Sequence, residues 1–88
     1  MDRRIALVGI IVTDDSSVER LNRILHDFGE YIIGRMGIPY KQEQMNIISI
    51  AMDADINVIN SLSGKLGMLK GISTKTVYVK SHGDKDEW

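Results

Sequence analysis

The chain has 88 residues, 43% hydrophobic and 26% charged, with a net charge of −1 and no cysteine. That length makes one domain burying about 64% of its unfolded-chain surface, enough for one thin core and no deep pocket enclosed by a single chain. The charge leaves no bulk electrostatic footprint for nucleic acid, and the lack of thiols excludes a disulfide framework, a thiolate zinc site, an iron–sulfur cluster and a cysteine nucleophile.

The first segment, Arg4 to Val12, is β-branched and apolar, as a buried central strand is. Its apolar run is too short to span a bilayer, and Asp14 and Asp15 follow it with no small-residue cleavage site. Cytoplasm is therefore the expected location. Ser16-Ser17-Val18-Glu19 fits a capping box, in which Ser16 accepts a backbone N–H and Glu19 reaches back. Val18, Leu21, Leu25 and Phe28 then share one helical face, with Ile24 beside them and Gly29 as a C-cap.

Tyr31 to Ile38 favours a strand, interrupted by Gly34 and Gly37. Glycines inside a strand suggest a bulge, a bend or the close approach of another backbone. Pro39 lacks an N–H and belongs at the strand end, with Pro39 to Glu43 as the turn. Met45 to Asp53 is the next strand, with Ile48, Ile50 and Met52 on one face and Ile47, Ser49 and Ala51 on the other. Asp53 or Asp55 caps a second helix carrying Ile59, Leu62, Leu66 and Leu69 on one face. Gly64 weakens that helix by about 1 kcal/mol relative to alanine, and Gly67 or Gly71 ends it. Ser73 to Lys80 is the last strand.

The order strand, helix, strand, strand, helix, strand is the split βαβ pattern of a ferredoxin-like α/β sandwich, a four-stranded antiparallel sheet with two helices on one face. Right-handed crossovers place the first and third strands side by side, parallel, in the centre. The domain occupies 1–80, and 81–88 is a loosely ordered polar tail. The first strand is apolar on both faces, with Ile5, Leu7 and Ile11 on one and Ala6, Val8, Ile10 and Val12 on the other. Only one of these faces can meet the helices. The other is expected to be covered by another subunit, because a contiguous exposed apolar patch marks an interaction surface. Ala6, Val8, Ile10 and Val12 are assigned to that interface.

Three segments carry a family resemblance: Arg4-Ile5-Ala6-Leu7-Val8-Gly9-Ile10-Ile11-Val12, Ile33-Gly34-Arg35-Met36-Gly37-Ile38-Pro39-Tyr40, and Leu62-Ser63-Gly64-Lys65-Leu66-Gly67-Met68-Leu69-Lys70-Gly71-Ile72. From Arg4 to about Lys80 the chain resembles the small iron-only hydrogenase system regulators, a stand-alone ACT-like domain similar to the C-terminal domain of nickel-responsive repressors. The resemblance implies a βαββαβ fold, assembly into dimers or tetramers, and a regulatory, non-enzymatic role linked to the hydrogenase system. It also implies a small-molecule effector bound between subunits. The nickel-binding relatives use histidine and cysteine. Here His26 and His82 stand alone, so no metal and no cofactor is expected.

In ACT-like domains the loop after the first strand faces the effector, which makes Thr13, Asp14, Asp15 and Ser16 candidate ligand-binding residues. The plain alternative is a turn whose acidic residues stabilise the helix N-terminus. Arg35 is a further candidate, either reaching from the sheet edge to solvent or pairing with a carboxylate across an interface. Rival functions of this fold fail at their sites. The central strands lack the aromatic residues that stack RNA bases. The first loop is acidic where an acylphosphatase carries arginine, no Cys-x-x-Cys exists for copper, and no P-loop motif occurs. No DNA-binding segment is evident, so an effect on transcription requires a partner protein. The alternative to a regulator is a structural or accessory subunit in hydrogenase or metal-cluster maturation.

Overall fold

The structure, a computed structural model, describes residues 2–80. The polar tail expected over 81–88, with His82, lies outside the described residues. The elements are β1 (Arg3–Val12), α1 (Val18–Asp27), β2 (Ile32–Tyr40), β3 (Met45–Asp55), α2 (Ile56–Gly67) and β4 (Ile72–Lys80). Short 3₁₀ turns at Asp15–Ser17, Gly29–Tyr31 and Lys41–Glu43 join them. Among the described residues no helix is long and apolar enough to cross a membrane.

The sheet order is β2-β3-β1-β4, and every neighbouring pair is antiparallel. This is the ferredoxin-like topology, with one correction. β1 and β3 are central neighbours as expected, but they run antiparallel. The helical crossover sets β2 parallel to β1, and the tight β2–β3 connection then reverses the chain. β3 therefore runs against β1.

The core lies between the sheet and the helices. Ala6, Val8, Ile10 and Val12 of β1 are buried with Ile48, Ile50, Met52 and Ala54 of β3, under Leu21 and Leu25 of α1 and Ile59, Leu62 and Leu66 of α2. Val18, Ile24, Phe28 and Leu69 pack around this cluster. Register explains the match: Ala6 pairs Met52, Val8 pairs Ile50 and Ile10 pairs Ile48. Ala6, Val8, Ile10 and Val12 are thus core residues and not the interface. Side chains alternate along a strand, so burying this set turns Ile5, Leu7 and Ile11 outward.

Several local details differ from the sequence reading. The capping box does not form. Asp14 caps the 3₁₀ turn instead, and Ser17 precedes α1 without a side-chain cap bond. Gly29 opens a 3₁₀ turn, and Phe28 closes α1. Asp55, one of the two expected candidates, caps α2 by accepting from the Asn57 N–H at 2.9 Å. β2 carries a bulge between Ile32 and Gly34, where one residue slips out of register against β3.

Leu62 has no solvent exposure. Leu62→Ala is expected to lower unfolding stability by about 2–5 kcal/mol through lost burial and a residual cavity. Urea denaturation followed by circular dichroism measures it.

Candidate functional site

The loop leaving β1 is strapped to the segment before β4. The Thr13 N–H donates to the Gly71 carbonyl at 2.8 Å, and the Thr13 hydroxyl donates to the same oxygen at 3.1 Å. The Ser17 hydroxyl, on a buried residue, donates to the Lys70 carbonyl at 2.6 Å. Asp14 Oδ1 accepts from the Ser16 N–H at 2.9 Å and from the Ser16 hydroxyl at 2.6 Å. Lys70 Nζ lies 3.7 Å from Asp14 Oδ2. The Ser16 hydroxyl bond, then the Ser16 backbone bond and the Lys70 charge, hold the Asp14 carboxyl below its ordinary value. Gly71 completes the strap at φ +72°, and a Cβ there would lie 2.5 Å from the Asp14 Cβ. Only glycine suits both that backbone and that gap.

Two cavities flank this end of the sheet and share Pro39 and Asn46. One, of about 260 Å³, lies between α1 and β2. Val12, Leu21 and Ile48 form its apolar floor, and Asn22, Arg35 and Asn46 supply its polar groups. The other, of about 580 Å³, is more open and is lined by Thr13, Asp15, Pro39, Lys41, Gln44, Met45 and Asn46. Met45 pairs with Tyr40 and continues the outward face of the sheet.

That outward face is the third feature. By register, Ile5 lies between Asp53 and Val79, Leu7 between Ala51 and Val77, Gly9 between Ser49 and Lys75, and Ile11 between Ile47 and Ser73. Met36 and Ile38 extend it on β2, opposite Ser49 and Ile47. Leu7 is 53% exposed, whereas its neighbour Val8 is fully buried. One end of the face is closed by a two-bond ion pair, Arg3 Nε to Asp53 Oδ1 at 2.7 Å and Arg3 Nη2 to Asp53 Oδ2 at 3.1 Å. At the strand start, Arg4 turns to the helix side, where its guanidinium bonds Asp2 and lies 5.1 Å from the Tyr78 ring centroid. Among the described residues no three histidine, cysteine, aspartate or glutamate side chains converge as metal ligands would.

Residues 4–76 match the family described as "TM1266-like: Iron-only hydrogenase system regulator, putative". The chain belongs to this family. The solved structure of the uncharacterised protein TM1266 from Thermotoga maritima is similar, with a TM-score of 0.85 and 36% identity over 90% of this chain and 100% of that one. A formyltetrahydrofolate deformylase from Pseudomonas putida KT2440 matches at a TM-score of 0.56 and 11% identity, over 84% of this chain and 28% of that chain. This second likeness is one of fold. No curated protein matches the chain.

Within this family fold the five candidate residues do not form one cluster. Thr13 and Asp15 line the open cavity, and Arg35 lines the one beside α1. Asp14 and Ser16 are engaged with each other in the cap. Asn22, Gly37, Asn46 and Gly71 escaped the sequence reading as site residues. Of these, Gly37 inside a strand and Gly71 near the end of α2 signalled a special position. The asparagines carry no local pattern, because the crossover alone brings them together.

Gly71→Ala is expected to destabilise the fold, by about 1–2 kcal/mol for the left-handed backbone alone, with the steric conflict at Asp14 in addition. Thermal unfolding measures it. Asp14→Asn removes a carboxylate whose folded value is lowered. Its stabilisation is present above the ordinary carboxylate pKa and is lost as pH falls through the folded value. The variant is therefore expected to be less stable near neutrality and to show a flatter acid limb in denaturation midpoints between neutral pH and about pH 2.

Proposed function

We propose that this chain is a non-enzymatic regulatory module that assembles with further copies of itself through the open sheet face and holds a small effector at the subunit boundary. The observation that carries this reading is the apolar outward face, centred on Leu7 and Ile11 and flanked by Met36, Ile38, Ile47, Val77 and Val79. Four strands about 4.8 Å apart and nine residues rising about 3.3 Å each give a face of roughly 550 Å² in plan, larger once protruding side chains are counted. That approaches the ≈ 800 Å² per partner of a stable interface.

The occupant is a second copy because the face is close to neutral in charge. Arg3 and Asp53 neutralise each other, and in the rows through Ile5, Leu7, Gly9 and Ile11 Lys75 is the one further charge. Two apolar corners, Ile5–Leu7–Val77–Val79 and Ile11–Ile38–Ile47, lie on either side of a low centre at Gly9 and Ser49. Such a surface can pack on itself about a two-fold axis. The cavity lined by Thr13, Asp15 and Met45 opens beside this face, so an effector there can meet the neighbouring subunit.

An effector controls assembly only through different affinities for two arrangements. The family description supports a role in regulation. The Ser63 hydroxyl shares a hydrogen bond with the Thr76 hydroxyl at 3.1 Å. An effect on transcription would pass through a partner protein.

Light scattering after size exclusion tests the assembly. The wild-type chain at micromolar concentration is expected at a multiple of its own mass. Leu7→Glu is expected to give the single-chain mass with an unchanged circular dichroism spectrum. Val8→Glu, one residue away, is expected to unfold because it buries an unpaired carboxylate. A single-chain mass for the wild type overturns the reading.

A further inference from the structure

We propose that the cavity between α1 and β2 binds a small aliphatic carboxylate, its charged end on Arg35 and its hydrocarbon against Val18 and Pro39, above the closed floor of Val12, Leu21 and Ile48. The inference rests on the reading of the chain as a regulatory module, and it adds a ligand site on the helix side of the sheet, distinct from the cavity beside the open face.

The first support is Gly37. It pairs with Ile48 on the helix side of β2 and lines the cavity. A glycine inside a strand loses more conformational freedom than any other residue and packs nothing. Some compensating need usually explains one. Here the backbone shows none, because Gly71 is the described glycine with positive φ. Close packing shows none either, because a Cβ on Gly37 would meet nothing within 4 Å. A side chain at this position would project into the cavity, between Arg35 and Pro39 on the helix side of β2.

The second support is the polar lining. Arg35 shares the helix-side face of β2 with Gly37, and it forms no ion pair among the described residues. Its planar fork of N–H donors fits a carboxylate with two parallel bonds. Asn22 on α1 and Asn46 on β3 add amide donors and acceptors from the other walls. One guanidinium with neutral amides suits a single negative charge. Asp15 lines the adjoining cavity and disfavours a dianion such as phosphate. Val12, Leu21 and Ile48 are buried and close the bottom of the cavity, while the partly exposed Val18 and the exposed Pro39 offer apolar surface at its walls.

The test is titration of the ¹⁵N-labelled chain with sodium isovalerate, and separately with sodium phosphate at matched ionic strength, while light scattering reports mass. Isovalerate is expected to shift the amide resonances of Leu21, Asn22, Gly37 and Asn46 saturably. Arg35→Gln is expected to weaken binding about tenfold or more, as loss of a charge-assisted pair does. Gly37→Val fills the cavity with a residue suited to strands and is expected to abolish binding without changing mass. Should Gly37→Val fail to fold, Arg35→Gln at the exposed sheet edge still decides.

The proposal is overturned if isovalerate causes no saturable shift, if Arg35→Gln binds with unchanged affinity, or if phosphate binds as well as isovalerate. Binding by a single-chain species overturns the assembly reading and leaves this site standing. An assembled protein that ignores isovalerate does the reverse.

Discussion

The structure depends on one geometric constraint, the two-residue alternation of β1 at the centre of the sheet. Val8 and Ile10 are pinned between Ile50 and Ile48 on one side and the helices above. Each of those contacts requires the intervening residue to face the other way. Because the outward residues flanking this pair are Leu7 and Ile11, a well-filled core and an uncovered apolar face arise from the same strand. Neither can be altered alone, since a one-residue slip would exchange them.

The end of the sheet near Gly71 is held differently. There the chain uses short polar bonds in place of apolar area. Thr13, Ser16 and Ser17 donate within a few residues of one another, and Asp14 accepts. Backbone groups of the loop are thereby satisfied without a long helix cap. The acidic pair after β1 is thus divided in its work. Asp14 builds the turn, while Asp15 is exposed beside the open cavity.

Regulation by a domain this small requires a surface outside the monomer core. The helix side of the sheet carries the core, with cavities at its margins beside Gly37 and beside Tyr31 and Val58. The outward side is uncovered. A ligand in the first place and a second subunit on the second, as proposed, would act on opposite faces of the same strands, β2 and β3. Strands transmit such a bias through packing, because close-packed interiors transmit strain.

Element order, helix faces and most strand limits were legible in the residues. Leu21, Leu25, Ile59, Leu62 and Leu66 are buried where three- and four-residue spacing places them. The phase of β1 was not legible from β1 itself, because both of its faces are apolar. The clue lay in β3, whose Ser49, Ala51 and Asp53 alternate with Ile48, Ile50 and Met52. Using it requires the pairing of Val8 with Ile50, a contact between residues far apart in the chain. The same distance separates Arg35, Asn22 and Asn46, and separates Asp14 from Gly71. Local periodicity by itself determined which segments are strands and helices, since that depends on neighbouring residues. Tertiary structure alone decided which face is core, which way β3 runs against β1, and which polar groups meet, since register and crossover bring those partners together.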